Sequence, residues 1–348
     1  MSVLLGLVAF VVILALLILV HELGHFTFAK LTGVRVDEFG LGFPPRLKGW
    51  KRGETMYSLN AIPLGGFVKM PGENGEASDP RNFGAKPPWQ RLIILLAGPS
   101  MNIALAIIVF FFGFLIGSPR GLTTITGVNL ASPAAIAGLK AGDRIVAVDG
   151  HRVRYLDQIQ TITQAHLGQR LVLRVRRRSR VFTSSLVPRK FYPGTQGPIG
   201  IILDRTVRIH YGPATALYHS LDTMGAIVGS VPLLFQSIAH HDTAQVSGPI
   251  GIAHATTQVV NNEPSYGPGS VLQFVGLLSA SLGVLNLLPI PALDGGRIVF
   301  VLLAWIRRRN LDPEVEGMIH AMGMIVLVML ILFVSYQDLT RWVSGQPF

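Results

Sequence analysis

The sequence contains no cysteine among its 348 residues, and charged residues make up only 14% of it. The absence of cysteine excludes disulfides, a thiolate nucleophile and a cysteine-ligated metal. It also means that cysteine usage gives no information on the redox compartment. So little charge, together with 49% hydrophobic residues and a mean hydropathy of +0.47, is atypical of a soluble globular protein. These values predict a membrane protein with some water-exposed mass.

Acidic residues are also scarce, with 19 Asp and Glu against 30 Lys and Arg and a net charge of +11. A basic balance is found in nucleic-acid-binding proteins and in membrane proteins, which collect Lys and Arg beside anionic head groups. No nucleic-acid-binding motif accompanies the charge, so we expect no nucleic-acid partner.

Four long apolar segments predict about four transmembrane helices. No side chain is polar from Val3 to Val20, and a helix of that length crosses the hydrocarbon core of a bilayer. The other runs are Leu92 to Ile116, Val271 to about Ile306 with a break at NLLPIPALDGG, and about Met318 to Ser335. The first run lacks a basic n-region and a small-residue cleavage site, so we expect it to remain as a helix and not to be removed as a signal peptide.

Basic residues between the apolar runs predict the orientation. Lys and Arg are frequent between the first two runs, and Arg307 to Arg309 lie between the last two. Both loops are therefore expected in the cytoplasm, with both termini and residues 118–270 outside.

The chain outside the apolar runs divides into further regions. Residues 118–208 contain alternating strands such as LVLRVRR and Gly-Asp turns, which predict a water-soluble domain; RVRRRSR at 174–180 is interpreted as a solvated strand and turn. In residues 209–270, His219 and Asp222 interrupt an apolar stretch, which favours an amphipathic helix on the membrane surface, although a span at 213–239 stays open. The predicted regions are 1–117, 118–208, 209–270 and 271–348.

The motif HELGH places ionisable residues at the end of the first apolar run. His21 and His25 are four residues apart, so on a helix both imidazoles lie on one face. This geometry suits a tetrahedral zinc ion, with Glu22 beside it as a general base acting on water. The alternative is a chance match in a helix whose histidines are only hydrogen-bonded, but ionisable residues in a membrane segment are by default functional.

A catalytic zinc normally has three protein ligands, so a third is needed. We favour Asp294 in NLLPIPALDGGR, where prolines and glycines break the helix, a feature tolerated at membrane depth when it is buried in protein or lines a wet cavity. The alternative is that Asp294 caps the helix that resumes near Gly295. The other histidines, including the adjacent His240 and His241, are interpreted as surface or interfacial residues.

With these motifs the chain closely resembles the site-2 protease family of intramembrane zinc metalloproteases, in its bacterial PDZ-containing branch, the regulator of sigma-factor proteolysis type. The pattern Asn-x-x-Pro-x-Pro-x-Leu-Asp-Gly is unbroken at residues 286–295. PLGGFVKM at 63–70 is similar to the membrane-associated β-hairpin of the family, AGPSMN at 97–102 to the start of its second span, and GPIGIA at 248–253 to the segment before its third.

The resemblance implies roles for individual residues. One zinc ion would be held by His21, His25 and Asp294, and Glu22 would be the general base. Residues that would position an unwound, extended substrate are Asn286, Pro289, Pro291, Gly65 and Gly66.

The resemblance also implies a fold and partners. The fold is a polytopic α-helical membrane protein with about four transmembrane helices, a membrane-associated β-hairpin and one extracytoplasmic PDZ-like β-rich domain, whose core would be residues 128–153. A PDZ domain binds an extended peptide at a sheet edge, so this domain captures or filters a protein C terminus, or is only a spacer. Implied substrates are single-span membrane proteins in the bacterial inner membrane, such as trimmed anti-sigma factors or remnant signal peptides.

Three other functions are weighed against this one. A catalytically inactive PDZ-bearing scaffold is disfavoured because His21, Glu22, His25 and Asp294 are all present. A membrane zincin acting on cytoplasmic loops would take its third ligand from a downstream helical Glu or His. A zinc transporter would need polar residues on several spans, whereas the second and fourth runs offer only Ser100, Asn102 and His320.

Overall fold

The computed structural model describes residues 3–73, 79–192, 196–203, 206–239, 248–309 and 312–344. The chain forms two compact units, one of residues 1–115, 212–264 and 271–348, the other of residues 116–211 and 265–270. The adjacent His240 and His241 lie outside the described residues.

The helices and strands are numbered in chain order. The helices are α1 (Val3–Leu31), α2 (Pro88–Ile116), α3 (Pro133–Ile136), α4 (Leu156–Ala165), α5 (Pro213–Ala239), α6 (Pro249–Asn261), α7 (Glu263–Tyr266), α8 (Pro268–Asn286), α9 (Asp294–Arg307) and α10 (Pro313–Ser344). The strands are β1 (Glu38–Arg52), β2 (Thr55–Lys69), β3 (Ser118–Gly121), β4 (Gly127–Val128), β5 (Arg144–Val148), β6 (His151–Arg152), β7 (Leu171–Arg177), β8 (Arg180–Leu186), β9 (Ile201–Ile202) and β10 (Thr206–Ile209).

Four helices of the first unit, α1, α2, α8 and α10, are long and apolar enough to cross a membrane, counted over the described residues. This agrees with the four apolar runs. Helix α1 continues well beyond Val20 and ends at Leu31, where Gly33 with φ +71° takes the left-handed conformation common after a helix. The HELGH residues therefore lie within the helix and keep the helical spacing of their side chains.

The third apolar run is broken, as predicted, between α8 and α9. The chain folds back tightly at the break, because a Cβ atom on Gly295 would lie 2.1 Å from the carbonyl oxygen of Leu288, and one on Gly296 would lie 2.5 Å from that of Ile290. Only glycine permits so close a backbone approach. The two glycines after Asp294 thus fix where α9 begins.

The region predicted as an amphipathic surface segment contains α5, α6 and α7. Helix α5 is continuous through Pro232 and is not one of the four candidate spans found in the described chain. Helix α6 packs closely on α1, where a Cβ atom on Gly6 would lie 2.2 Å from Thr257 Oγ1. The carboxylate of Asp338 in α10 accepts hydrogen bonds from the amides of Gly248 at 2.9 Å and Gly251 at 2.8 Å, which caps the start of α6.

Strands β1 and β2 form an antiparallel sheet beside α1. The turn lies at Gly53, with φ +62°. Residues 38–41 of β1 are paired on both sides, with 56–59 and again with 66–69 of β2, because β2 bends back at about Gly65. The predicted hairpin segment at 63–70 is therefore this bend and the short stretch after it.

The second unit is β-rich with two short helices. Its largest sheet has the strand order β6-β5-β7-β8, and LVLRVRR is strand β7 with strictly alternating burial from Leu171 to Arg176, as its alternation predicts. RVRRRSR forms the end of β7 and the turn into β8, where Arg178 has φ +53°. The inward side chains of β7, which include Leu173 and Val175, pack in one core with Ile125, Ile145, Val148 and Ile159.

Candidate active site

The side chains of His21, His25 and Asp294 converge in the first unit, and each offers one ligand atom within 4.8 Å of the others. The Nε2 atom of His21 lies 3.0 Å from Asp294 Oδ2, that of His25 lies 3.4 Å from the same oxygen, and the two Nε2 atoms are 3.2 Å apart. A tetrahedral zinc ion with bonds of about 2.0–2.1 Å separates its ligand atoms by about 3.3 Å. The three atoms thus fit one face of such a site, in donor type and in spacing.

Helix α2 holds His25 in place. Its Nδ1 atom lies 2.8 Å from the carbonyl oxygen of Ile94, so this nitrogen carries the proton and Nε2 is left with a free electron pair. The backbone of α2 approaches closely, since a Cβ atom on Gly98 would lie 2.3 Å from His25 Nε2 and one on Gly24 would lie 2.5 Å from Ala97 O. The AGPSMN segment is therefore one wall of the site.

Asp294 is the first residue of α9 but does not cap the helix. The cap position is Leu293, which makes no side-chain hydrogen bond to the helix. The carboxylate of Asp294 points instead at the two histidines. This orientation favours the interpretation of Asp294 as a ligand over its interpretation as a cap.

Glu22 lines the same cleft as these three residues, and the cleft has a volume of about 460 Å³. The bend of β2 forms its opposite side: a Cβ atom on Gly66 would lie 2.9 Å from Glu22 Cγ, and one on Gly65 would lie 2.2 Å from the ring of Phe43. Gly66 lets the strand lie this close to α1, and Gly65, with φ +137°, lets it pack against Phe43 of β1. Glu22 is therefore located between the histidines and the strand.

The other predicted substrate-positioning residues differ in location. Asn286 lines the cleft, with its amide donating to the carbonyl of Leu282 at 3.0 Å. Pro289 is exposed, and Pro291 packs against Gly323 of α10, where a Cβ atom would lie 2.4 Å from the proline ring. The prolines shape the break between α8 and α9 and are not among the residues that line the cleft.

Two pairs at the site are absent from the sequence predictions. Glu73 and Arg297 line the cleft and form an ion pair of 3.0 Å. Asn102, whose side chain is fully buried, lies beside His21, with 3.4 Å between Asn102 Nδ2 and His21 Nδ1. The spacing of Arg297 three residues after Asp294 indicates that Arg297 shares a helix face with Asp294, but it does not indicate the partner Glu73.

An ion pair links the turn of the β1–β2 hairpin to the end of α1. Lys30 donates to Glu54 at 2.7 Å, and Arg81 also donates to this carboxylate. These hydrogen bonds, that from Lys30 first, lower the pKa of Glu54 to about 2. The hairpin is therefore anchored at its turn as well as at the cleft.

Comparison with known proteins identifies relatives that match most of the chain. The profile of Peptidase family M50 matches residues 9–330. A protein of Clostridium acetobutylicum is 35% identical over 328 residues, covering 92% of this chain and 94% of that one. A protein of Brucella suis is 31% identical over 362 residues, covering 95% and 94%. RasP of Geobacillus kaustophilus is 27% identical over 423 residues, covering 97% and 98%.

All three relatives are named as zinc metalloproteases. The resemblance seen in HELGH and in the Asp294 motif is confirmed by the family match, as are the enzyme class and zinc as cofactor. The chain belongs to peptidase family M50, the site-2 proteases, and is a membrane zinc metalloprotease.

Proposed function

We propose that the protein is an intramembrane endopeptidase that hydrolyses a peptide bond within a transmembrane segment of a single-span membrane protein. The observation that supports this most is the convergence of His21, His25 and Asp294 with Glu22 in one cleft of a helical unit whose α1 is apolar enough to span a membrane. In this proposal the three converging residues are the zinc ligands and Glu22 is the general base.

His21, His25 and Asp294 would hold the zinc ion, which would supply Lewis-acid activation of water and of the scissile carbonyl. Glu22 accepts a proton from the attacking water and then donates it to the leaving amine, so that water adds across the peptide bond without a covalent enzyme intermediate. The Ile94 carbonyl fixes His25 in the tautomer that leaves Nε2 free.

The substrate segment must be extended at the cleft, because a helical carbonyl is hydrogen-bonded and shielded by neighbouring side chains. Residues 66–69 of β2 pair with β1 on one side, and in the described chain no strand pairs with their other side. This open edge borders the cleft through Gly66, Phe67 and Val68. The proposed substrate adds to it as a further strand, and Asn286 holds the same segment from across the cleft.

The second unit contains a groove of about 700 Å³ between α4 and residues 196–203. Strand β9 pairs with β4 on one side, and the groove is lined by apolar side chains of α4 and β9, including Leu156, Ile159 and Ile201. This arrangement supports a PDZ-like role in which an extended peptide with apolar side chains binds beside β9. Such binding would select or exclude substrates.

The orientation forms part of the proposal. The basic loops between the first two and the last two apolar helices are placed in the cytoplasm, and both termini and the second unit outside. Substrates of the anti-sigma-factor or remnant-signal-peptide type fit this arrangement, since their outer domains are small or already removed. The active site then lies toward the cytoplasmic side.

The test compares wild type with Glu22→Gln, both purified in detergent. Bound zinc is measured in each, and each is given a tagged single-span substrate with a truncated outer domain. The proposal requires stoichiometric zinc in both proteins and cleavage only by wild type. Absence of zinc from wild type would contradict the ligand assignment, and cleavage by Glu22→Gln would contradict the assigned base.

A further inference from the structure

The two imidazoles of the site both turn their Nδ1 atoms toward helix α2. For His25 the partner is the carbonyl oxygen of Ile94 at 2.8 Å. For His21 the partner is the terminal amide of Asn102, whose Nδ2 atom lies 3.4 Å from His21 Nδ1. The two partners lie eight residues apart on α2, so one helix supports both rings.

A histidine that binds a metal through Nε2 carries its proton on Nδ1, and that N–H needs an acceptor. Ile94 supplies an acceptor for His25, but an amide NH₂ group cannot supply one for His21. A half-turn of the Asn102 amide exchanges its nitrogen and oxygen without moving any other group. It places Oδ1 where it accepts the Nδ1 proton of His21.

The burial of Asn102 favours this orientation. Its side chain is fully buried, and with the amide in its present orientation Oδ1 has no hydrogen-bond partner. A buried amide oxygen without a partner is costly, whereas a purely apolar residue in its place would carry no such cost. The half-turn pairs this oxygen and gives His21 its acceptor at the same time.

The position of Asn102 is fixed by its neighbours. Ser279 of α8 donates a hydrogen bond to the backbone carbonyl of Asn102 at 2.8 Å. Gly283 of the same helix approaches α2 so closely that a Cβ atom would lie 2.9 Å from the carbonyl oxygen of Pro99. The amide therefore projects from a backbone held by α8.

We propose that Asn102 is the positioning residue of His21: its side-chain oxygen accepts the Nδ1 proton and holds His21 in the tautomer and rotamer that present Nε2 to zinc. This inference rests on the proposed role of His21 as a zinc ligand. It assigns to the AGPSMN segment a function beyond helix packing, because Ile94 and Asn102 then set the tautomers of both histidines.

The test uses the full-length protein in detergent and measures zinc affinity by competition with a chelator of known affinity. Asn102→Leu keeps similar volume without an acceptor, and Asn102→Asp keeps the acceptor. The control Ser220→Ala also removes a buried side-chain hydrogen bond, from Ser220 to the carbonyl of Ala216 within α5, but none of the described residues of α5 lines the cleft. We expect Asn102→Leu to bind zinc about 10–100-fold more weakly, and Asn102→Asp to remain within a few-fold of wild type. Ser220→Ala should match wild type.

A second readout separates positioning from packing. In protein labelled with ¹⁵N-histidine, zinc-loaded wild type should show His21 with its proton on Nδ1, and Asn102→Leu should lose that defined signature. Thermal unfolding of each variant checks that the fold persists. Unchanged zinc affinity in Asn102→Leu, or equal weakening in Asn102→Asp, overturns the inference; failure of wild type itself to bind zinc overturns the proposed function instead.

Discussion

Glu73 and Arg297 form an ion pair that joins the end of the hairpin to the helix carrying Asp294. Arg297 Nη1 lies 3.0 Å from Glu73 Oε2. The other oxygen of the same carboxylate accepts a hydrogen bond at 3.0 Å from the amide of Met70, directly after β2. One carboxylate thus connects the strand proposed to bind substrate with the helix proposed to bind zinc.

Breaking this pair should weaken catalysis without removing zinc. The side chain of Arg297 is 42% exposed and that of Glu73 20%, so the pair is worth at most about 1 kcal/mol, or roughly fivefold in rate. We expect Arg297→Gln to lower kcat/KM by about this factor, as measured by cleavage of the single-span substrate. Arg307→Gln, at the exposed far end of α9, is the matched control.

The charge-swapped double variant, Glu73→Arg with Arg297→Glu, tests the same pair further. It should recover part of the activity lost by either single change, because opposite charges again face each other. Recovery should be incomplete, since a guanidinium group cannot accept the hydrogen bond that the Met70 amide donates to Glu73. No recovery would show that the two residues act separately.

Gly98 should be required for zinc binding. A Cβ atom there would lie 2.3 Å from Nε2 of His25, so Gly98→Ala must displace the ring from its present position. Alanine otherwise favours a helix by about 1 kcal/mol over glycine, so the helix itself is expected to persist. We predict at least a tenfold loss of zinc affinity by chelator competition. Gly229→Ala, in α5 with open space around the glycine, should leave zinc affinity unchanged.

The variant Asp294→Ser distinguishes between two roles of Asp294, that of a zinc ligand and that of a helix cap. Serine is as good a cap as aspartate but supplies no carboxylate. Because the cap position is Leu293, we expect Asp294→Ser to lose zinc while the thermal stability of the zinc-free protein stays close to that of zinc-free wild type. Retention of zinc by this variant would contradict the assignment of Asp294 as a zinc ligand.

The sequence is sufficient to predict the features that depend on local spacing. The apolar run from Val3 to Val20 is long enough to predict α1, and the interval of four between His21 and His25 predicts their shared face. The prolines and glycines near Asp294 predict the break between α8 and α9. These features follow from helix geometry and from backbone restrictions alone.

Contacts between distant segments could not be predicted in this way. Nothing in the local pattern around Glu73 indicates that it meets Arg297, and Asn102 has no acidic or basic neighbour that marks it as a partner of His21. Both contacts depend on how α1, α2 and α9 pack, which is set by close approaches at glycines such as Gly98. A glycine in the sequence does not reveal which backbone it will meet.

The open edge of β2 leads to a prediction about one backbone hydrogen-bond donor, the N–H of Val68. The Lys69 carbonyl accepts a hydrogen bond from the amide of Asp37, so the backbone polar groups of Lys69 point toward β1. Because these groups alternate between the two sides of a strand, the N–H of Val68 points toward the open edge. Proline at Val68 removes that donor. We expect Val68→Pro to abolish cleavage with zinc retained. Val68→Ala, which shortens the side chain and keeps the N–H, should stay active; cleavage by Val68→Pro at the wild-type rate would exclude strand addition here.

Acid should destabilise the second unit through Asp143. This buried carboxylate accepts hydrogen bonds from Arg177 at 2.6 and 2.7 Å. Burial by itself raises the pKa of Asp143, but the hydrogen bonds from Arg177 and from the Lys140 amide outweigh it and hold the pKa below its usual value. Since the unfolded-state pKa is about 3.9, the stabilisation is complete above that pH and is lost as the pH falls through the lower folded-state pKa.

Hydrogen–deuterium exchange of β5 and β7, corrected for intrinsic rates, measures this loss. Wild type should show little change in protection well above pH 4 and a progressive fall below it, because the unfolded-state carboxylate binds a proton from about pH 4, whereas the folded-state carboxylate binds one only at lower pH. In Asp143→Asn no charge remains to be titrated at this position. Its protection should be lower than that of wild type near neutral pH and should not fall further below pH 4. A fall in protection of equal size in both proteins would assign the acid sensitivity to another group.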